Sequence, residues 1–222
     1  MSKPSTPGER QAKVAVVDYG AGNLRSVAKA IERSGLEVVV TEDPATVRAA
    51  DGVVLPGVGA FRDAVLQLRD SGLEDAVKEA VETDKPYLGM CFGLQLLFEE
   101  GDEHGVTAGF GLLGGRVERF PDKDESGEAL RVPQIGWNEV EWQGTHPMLE
   151  HLPARDYYYF VHSYRPVPTD DSIVIGRTDY GGVFAAAVAT PNLFAVQFHP
   201  EKSQASGKRL LDAYKAWVEQ AR

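Results

Sequence analysis

The chain has 222 residues, 43% of them hydrophobic and 25% charged, which predicts a soluble globular protein of one large domain or two small ones. Its net charge of -10 is spread along the chain and argues against nonspecific nucleic-acid binding, which relies on Lys and Arg against phosphates. One cysteine cannot form an internal disulfide, and the sequence shows neither a secretory signal nor a membrane-spanning run, so we expect a cytoplasmic protein with no membrane partner.

The first half of the chain alternates short apolar runs with helical patterns. Predicted strands cover 14–17, 36–40, 52–55 and 86–88, and predicted helices cover 24–34, 44–50, 61–69 and 73–81. This β-α rhythm predicts a parallel sheet that is covered by helices on both faces.

The second half is richer in strands separated by turns. Strands are predicted at 117–120, 137–140, 157–161, 172–176, 183–188 and 193–198, with several of them antiparallel, and a final helix at 207–220. The polar stretch 121–130 is predicted to be a surface loop. No repeat or linker divides the chain, which favours one α/β domain at 12–222 after a disordered tail at 1–11.

Cys91, the only cysteine, lies between two glycines, Gly89 and Gly93. The apolar run 86–88 precedes it, and a helical pattern at 94–100 follows it. This order is typical of a nucleophile elbow, a tight turn that exposes a reactive side chain. A lone cysteine is more often a small buried hydrophobe, but the flanking glycines favour the elbow. We therefore predict that Cys91 is a nucleophile, with its thiolate stabilised at the start of the following helix.

His199 is the predicted base for this nucleophile. It ends the strand at 193–198, and the next residue is Pro200, which cannot continue a central strand. Glu201 could fix the tautomer of the imidazole and complete a Cys-His-Glu triad. The alternative is a strand-end histidine beside a solvated glutamate, and the elbow at Cys91 favours the triad.

Acyl chemistry also needs hydrogen-bond donors for the developing oxyanion. The backbone N–H of Phe92 is one candidate, and the glycine-bearing loop with Gly57 and Val58 is the other, because it follows a strand whose carboxyl end should face the elbow. Gln95, four residues after Cys91, would share a helix face with it and could bind a substrate amide. An ordinary turn and a solvated helix position are the alternatives.

Three ordered segments, 56–59, 89–95 and 198–203, resemble the motifs of the class-I (triad) glutamine amidotransferases. The resemblance spans residues 12–222 and implies a single-domain α/β fold with a central, mostly parallel sheet, flanking helices and added antiparallel strands in the second half. The segments 18–24, 133–138 and 159–164 look like those of one subfamily, the glutaminase subunits of imidazole glycerol phosphate synthase from histidine biosynthesis.

The resemblance implies a reaction without metal or cofactor. Cys91 would attack the side-chain amide of glutamine, His199 would protonate the leaving ammonia, and water would then release glutamate from a thioester. A peptide flip near Gly57 and Val58 would complete the oxyanion hole. Residues that would hold glutamine in this family are Gln95, Glu103, His162, Ser163 and Tyr164.

The resemblance also implies a partner, a TIM-barrel cyclase that receives the ammonia and makes imidazole glycerol phosphate and aminoimidazole carboxamide ribotide. The chain has no acceptor domain of its own, so we expect its glutaminase activity to be low until the acceptor binds the partner. Trp137 could instead belong to the core, and Lys202 could be a solvated lysine. Residues expected near the interface are Asn23, Gln134, Trp137, Tyr159 and Lys202.

Three alternatives stay open at this point. The first is a glutaminase subunit of anthranilate or aminodeoxychorismate synthase, which would not be expected to carry the segment 134–138. The second is a stand-alone cysteine hydrolase that cuts γ-glutamyl compounds without a partner. The third is a flavodoxin-like binding module without catalysis, which would leave His199, Glu201 and the elbow unexplained.

Overall fold

The computed structural model describes residues 10–20 and 22–222. Of the tail predicted at 1–11, residues 1–9 lie outside the described residues. Arg10 contacts Asp51 at 2.7 Å, and the amide of Gln11 donates to the carbonyl of Gly35 at 2.9 Å. No helix of the described residues is long and apolar enough to cross a membrane.

Two sheets and six α-helices make up the described part of the chain. The helices are α1 (Leu24–Glu32), α2 (Pro44–Ala49), α3 (Phe61–Asp70), α4 (Leu73–Glu82), α5 (Phe92–Gln95) and α6 (Gln204–Gln220). The strands are β1 (Lys13–Val17), β2 (Glu37–Thr41), β3 (Gly52–Leu55), β4 (Tyr87–Met90), β5 (Phe98–Asp102), β6 (Val106–Ala108), β7 (Leu113–Arg119), β8 (Gln134–Trp142), β9 (Arg155–His162), β10 (Tyr164–Pro168), β11 (Val174–Asp179), β12 (Val183–Thr190) and β13 (Leu193–Val196).

The larger sheet confirms the predicted mixed architecture. In the described chain it has nine strands in the order β2-β1-β3-β4-β13-β12-β11-β8-β9. The pairs from β2 to β13 are parallel, and those from β13 to β9 are antiparallel. The carboxyl ends of β3, β4 and β13 therefore meet at one edge, the place where such sheets bind ligands.

The two faces of the parallel strands bury separate sets of side chains. Successive residues of a strand point to opposite faces, so Ala15 packs in one core and Val16 in the other. Helices α2, α3 and α4 cover the first face, and α1 and α6 cover the second. This arrangement explains the continuous apolar runs of β1 and β3, which are buried on both sides.

The prediction of a helix at 94–100 is wrong. The helix after Cys91 is the single turn α5, and residues 98–102 form β5 of the second sheet. Leu96, Leu97 and Phe98 are all fully buried, so the run has no solvent face to support an amphipathic helix. A short apolar run cannot be assigned to helix or strand by periodicity alone.

A separate second sheet was not predicted, although the strand predicted at 117–120 lies largely within its strand β7. In the described chain it has four strands in the order β10-β7-β5-β6. Its edge strand β10 carries Pro166 and Pro168. Proline has no N–H to donate, and an edge strand tolerates this because its outer side has no partner strand. The strand predicted at 172–176 begins at Val174, after a short 3-10 turn, and the strand predicted at 193–198 ends at Val196.

Candidate active site

Cys91 lies at the carboxyl end of β4, directly before α5. Its backbone has φ 53° and ψ −100°, a strained positive-φ conformation that non-glycine residues rarely adopt. The N–H of Cys91 donates to the carbonyl of Val196 at 2.8 Å, which ties the turn to β13. Such strained residues cluster at functional sites and persist only where their surroundings hold them in place.

The two flanking glycines are required by close backbone contacts. A Cβ on Gly93 would lie 1.7 Å from the carbonyl oxygen of Leu55 in β3. A Cβ on Gly89 would lie 2.6 Å from the carbonyl oxygen of Gly93 itself. Only glycine fits at either position, so the turn presses against β3 and its own strand.

His199 and Glu201 form a buried pair beside the end of β13. Nδ1 of His199 lies 2.9 Å from Oε1 of Glu201, and their side chains are 4% and 1% exposed. The side-chain amide of Asn23, at the start of α1, donates to the same carboxylate oxygen at 3.0 Å. Two donors on one oxygen fix the carboxylate, which in turn orients the imidazole.

The ring of His199 favours its charged form. Burial lowers the pKa of His199, but the sulfur of Cys91 and then the carboxylate of Glu201 raise it from 6.5 to about 10. The ring nitrogen Nε2 makes no hydrogen bond of ordinary geometry within residues 10–20 and 22–222. It is therefore free to exchange a proton with the sulfur or with a bound substrate.

The loop after β3 packs against the first residue of α5. A Cβ on Gly57 would lie 2.7 Å from Cβ of Phe92 and 2.0 Å from the hydroxyl of Tyr19, so this loop needs glycine there. The next residue, Val58, is 41% exposed. The structure thus brings Gly57 and Phe92 together beside Cys91, as an oxyanion hole would require.

Gln95 is buried within the protein rather than presented on a helix face. Its amide nitrogen lies 3.0 Å from the carbonyl of Tyr164 and 3.1 Å from Oε1 of Gln197. Gln197 in turn directs its amide nitrogen to the sulfur of Cys91 at 3.6 Å. The amide nitrogen of Gln95 is thus used inside the protein, and only its oxygen is left for a substrate.

The other predicted glutamine-binding residues lie at different depths. The ring of His162 is buried, and Nδ1 lies 2.8 Å from the carbonyl of Tyr164. Burial, against that hydrogen bond, lowers the pKa of His162 from 6.5 to about 4, so the ring is neutral. The carbonyl of Ser163 accepts from the N–H of Phe120 at 3.0 Å. Glu103 accepts from the N–H of Phe61 at 2.5 Å, at the start of α3.

Four of the five residues expected at an interface have accessible surface. Trp137 is 44% exposed and meets the ring of Tyr159 edge-on at 6.1 Å, while Asn23 and Lys202 are exposed near Glu201. Gln134 differs, because it is 1% exposed and neither end of its amide has a hydrogen-bond partner within the described chain.

Sequence reasoning missed Gln197 and Tyr19, and it assigned Asn23 only to the interface. Gln197 is the one polar residue of the apolar run 193–198, and it stands two positions before His199, a spacing that puts two strand residues on one face. Tyr19 comes just after β1, at the edge where parallel strands end. These two signals could have identified both residues.

A small cavity lies beside the His199–Glu201 pair. A cavity of about 10 Å³, close to the room that one water needs, is lined by Gly57, Val58, Asn23, His199 and Glu201. Cys91 does not line this cavity, which lies on the side of the pair that faces Asn23 and the Gly57 loop. A larger cavity of about 450 Å³ lies elsewhere, on the antiparallel strands, beside Trp137 and Tyr157.

The family model described as glutamine amidotransferase class-I matches residues 15–214. A protein of Syntrophotalea carbinolica, named imidazole glycerol phosphate synthase subunit HisH, is 50% identical over 89% of this chain and 97% of its own length. A protein of Methylococcus capsulatus with the same name is 48% identical over 92% of this chain and 96% of its own length.

Solved structures share the fold at lower identity. The structure of PurLQS from Thermotoga maritima matches with a TM-score of 0.73 and 21% identity, and covers 94% of this chain and 100% of that chain. The glutaminase domain of Trypanosoma brucei CTPS matches with a TM-score of 0.69 and 16% identity, and covers 94% of each chain. These two likenesses support the fold alone.

Proposed function

The chain belongs to the class-I glutamine amidotransferases and, within them, to the family of the HisH subunits of imidazole glycerol phosphate synthase, and we propose that Cys91, His199 and Glu201 are its catalytic triad. As a member of that family it is the glutaminase subunit of this synthase, which belongs to histidine biosynthesis. The main support for the triad is the buried His199–Glu201 pair. The nearby sulfur of Cys91 raises the pKa of its imidazole.

The first half of the reaction forms a thioester. The sulfur of Cys91, as thiolate, attacks the side-chain carbonyl carbon of glutamine, and the carbonyl electrons move to oxygen. The imidazolium of His199 gives its proton to the amide nitrogen as the C–N bond breaks, and ammonia leaves. The carboxylate of Glu201 stabilises the imidazolium that this step consumes and the next one restores.

The second half releases glutamate. Neutral His199 takes a proton from water, whose oxygen attacks the thioester carbon, and the C–S bond then breaks to return the thiolate. In both halves the negative charge on oxygen is stabilised by backbone N–H groups of Phe92 and of the Gly57–Val58 unit. The contact of Gly57 with Phe92 supports this assignment. Glutamine is held beside the triad by Gln95, Glu103 and the segment 162–164.

Because the chain is one subunit of a synthase, it has a partner. We infer that this partner is a TIM-barrel cyclase, which uses the ammonia to make imidazole glycerol phosphate and aminoimidazole carboxamide ribotide in the cytoplasm. Exposed apolar side chains on the antiparallel strands support a docking face there, namely Ile135, Trp137, Tyr157 and Val183. Asn23 and Lys202 are exposed beside Glu201 and are the proposed contacts nearest the triad, whereas Gln134 is buried in the isolated chain.

A glutaminase assay tests the proposal. Wild type, Cys91→Ser and His199→Asn are each measured alone, with the cyclase, with the cyclase in the presence of its ribotide, and with the partner subunit of anthranilate synthase. We expect the wild-type rate to be low alone and to rise with the loaded partner, because the partner binds the acceptor and the glycine-bearing loop at Gly57 and Val58 must first complete the oxyanion hole. Both variants should lose at least about a thousand-fold in rate. Exposed His151 offers a matched control, since His151→Asn should keep the wild-type rate.

The outcomes separate the alternatives. Full wild-type activity without any partner would favour a stand-alone hydrolase and contradict the proposed activation. Activation by the anthranilate synthase partner, but not by the cyclase, would contradict the proposed TIM-barrel partner. Retention of activity in Cys91→Ser would refute the proposed catalytic triad.

A further inference from the structure

Gln197 is a buried polar residue that directly contacts the sulfur of Cys91. It is 0% exposed and follows β13, two residues before His199. Its amide nitrogen lies 3.6 Å from Sγ of Cys91, within the range of hydrogen bonds to sulfur. A buried amide without a partner would be costly, so this contact has a structural reason to persist.

The neighbouring hydrogen bonds fix which end of this amide faces the sulfur. The carbonyl of Tyr164 can only accept, so the group of Gln95 that faces it at 3.0 Å must be the NH₂ group. The same NH₂ group lies 3.1 Å from Gln197, which must therefore present its oxygen to Gln95. The NH₂ group of Gln197 is then the end that faces Cys91.

The Tyr164 carbonyl is itself held by a second donor. The neutral ring of His162 donates from Nδ1 to this carbonyl at 2.8 Å. Both lone pairs of the carbonyl are thus occupied, and Gln95 has no freedom to turn its amide over. A buried series of directed hydrogen bonds therefore runs from His162 through Tyr164, Gln95 and Gln197 to the sulfur.

We propose that Gln197 stabilises the thiolate of Cys91 by donating a hydrogen bond to its sulfur, and that Gln95 holds the Gln197 amide in the donating orientation. A thiolate is a better acceptor than a thiol, so a fixed donor favours the charged nucleophile. Because α5 is one turn long, its N-terminus offers the sulfur little help from a helix dipole. Gln197 and the imidazolium of His199 supply that stabilisation from the other side. This role rests on the proposed use of Cys91 as the nucleophile.

Alkylation of the single cysteine tests this directly. The rate of modification by iodoacetamide is measured against pH for wild type, Gln197→Met, Gln197→Glu and Gln95→Met, without glutamine. Since Cys91 is the only cysteine, the signal has one source. Methionine keeps the length of the side chain and removes the donor, and glutamate adds a negative charge beside the sulfur.

We expect the pH of half-maximal alkylation to rise by about one unit in Gln197→Met, the size of shift that a hydrogen bond to a charged group produces. Gln197→Glu should shift it further, and Gln95→Met should shift it less in the same direction. Glutamine turnover by the complex with the partner should show a lower kcat in Gln197→Met. Gln143→Met is the matched control, because it removes an amide hydrogen bond to Val174 far from the site, and its alkylation profile should equal that of wild type.

An unchanged alkylation profile in folded Gln197→Met would overturn the inference, as would an equal shift in Gln143→Met. If Gln197→Met does not fold, Gln95→Met decides the question by the same measurement. Alkylation needs no glutamine, so this measurement and the glutaminase assay can fail separately. If the profile shifts but the complex does not hydrolyse glutamine, the hydrogen bond from Gln197 to the sulfur is supported and the proposed glutaminase triad is refuted.

Discussion

Replacing Gly93 by alanine tests how tightly the elbow is held against β3. The added Cβ would lie 1.7 Å from the carbonyl oxygen of Leu55, whereas real contacts of this kind essentially never fall below 3.0 Å. The elbow must therefore move by about 1.3 Å, the difference of these two distances. β3 pairs with β1 and β4 on its two sides, so the displacement falls on α5 and Cys91.

The expected effects follow from this displacement. Overpacking of this kind costs about 1 to 3 kcal/mol of folding free energy, which lowers the melting temperature by roughly 3 to 10 °C in a chain of this length. A nucleophile misplaced by about 1 Å loses about a hundred-fold in rate. Thermal unfolding and glutamine turnover by the complex with the partner measure the two effects separately.

Gly114→Ala is the matched control for Gly93→Ala. Its Cβ would meet Thr169 at 3.8 Å, an ordinary contact, and Gly114 does not have the left-handed backbone that disfavours alanine. We expect this variant to melt and turn over like wild type. A Gly93→Ala protein with the wild-type melting temperature and rate would refute the reasoning, because it would show that the elbow does not press on β3.

Two further predictions concern the titrating side chains. Glu201→Gln should lower kcat by about a hundred- to ten-thousand-fold while the complex still forms, because a neutral amide no longer stabilises the imidazolium of His199; a loss of less than two-fold would exclude the orienting role. Burial lowers the pKa of His146 from 6.5 to about 4, so the folded chain binds a proton at this ring more weakly than the unfolded chain does. The stability that this difference contributes is fully present above pH 6.5 and is lost as the pH falls towards 4. The shift corresponds to about 3 kcal/mol. His146→Asn keeps an acceptor for the N–H of Met148, so urea unfolding between pH 4 and 7 should show a shallower loss of stability than in wild type; an unchanged slope would contradict the assignment.

The parallel half of the fold could be predicted because its signals are local. The runs of β1 and β3 are continuously apolar, and the helices between them show one buried face. The second sheet lacks such signals: β5 and β7 mix glycine with charged residues, and β10 contains two prolines. Those strands form because partners from distant parts of the chain pair with them, and single-sequence patterns do not contain that information.

The candidate site divides in the same way. Cys91, His199 and Glu201 were predicted because glycines, a strand end and a proline mark their positions locally. The bond from Asn23 to Glu201 joins residues 178 positions apart, and the contact of Gln197 with Cys91 spans 106 positions. A local pattern can mark such a residue as unusual, but its partner is set by the order of β1, β4 and β13 in the sheet, which a single-sequence pattern does not contain.

The elbow and the proposed oxyanion loop at Gly57 and Val58 are linked by the contacts that make their glycines necessary. Gly93 of the elbow rests on the carbonyl of Leu55, the last residue of β3, and Gly57 rests on Phe92, the residue after the nucleophile. The loop therefore cannot move far without changing its contact with the residue that follows Cys91. A partner that shifts Val58, which is 41% exposed, would act on the donors and on the nucleophile together. The same backbone contacts would thus carry the effect of a surface contact at Val58 to the proposed triad in one step.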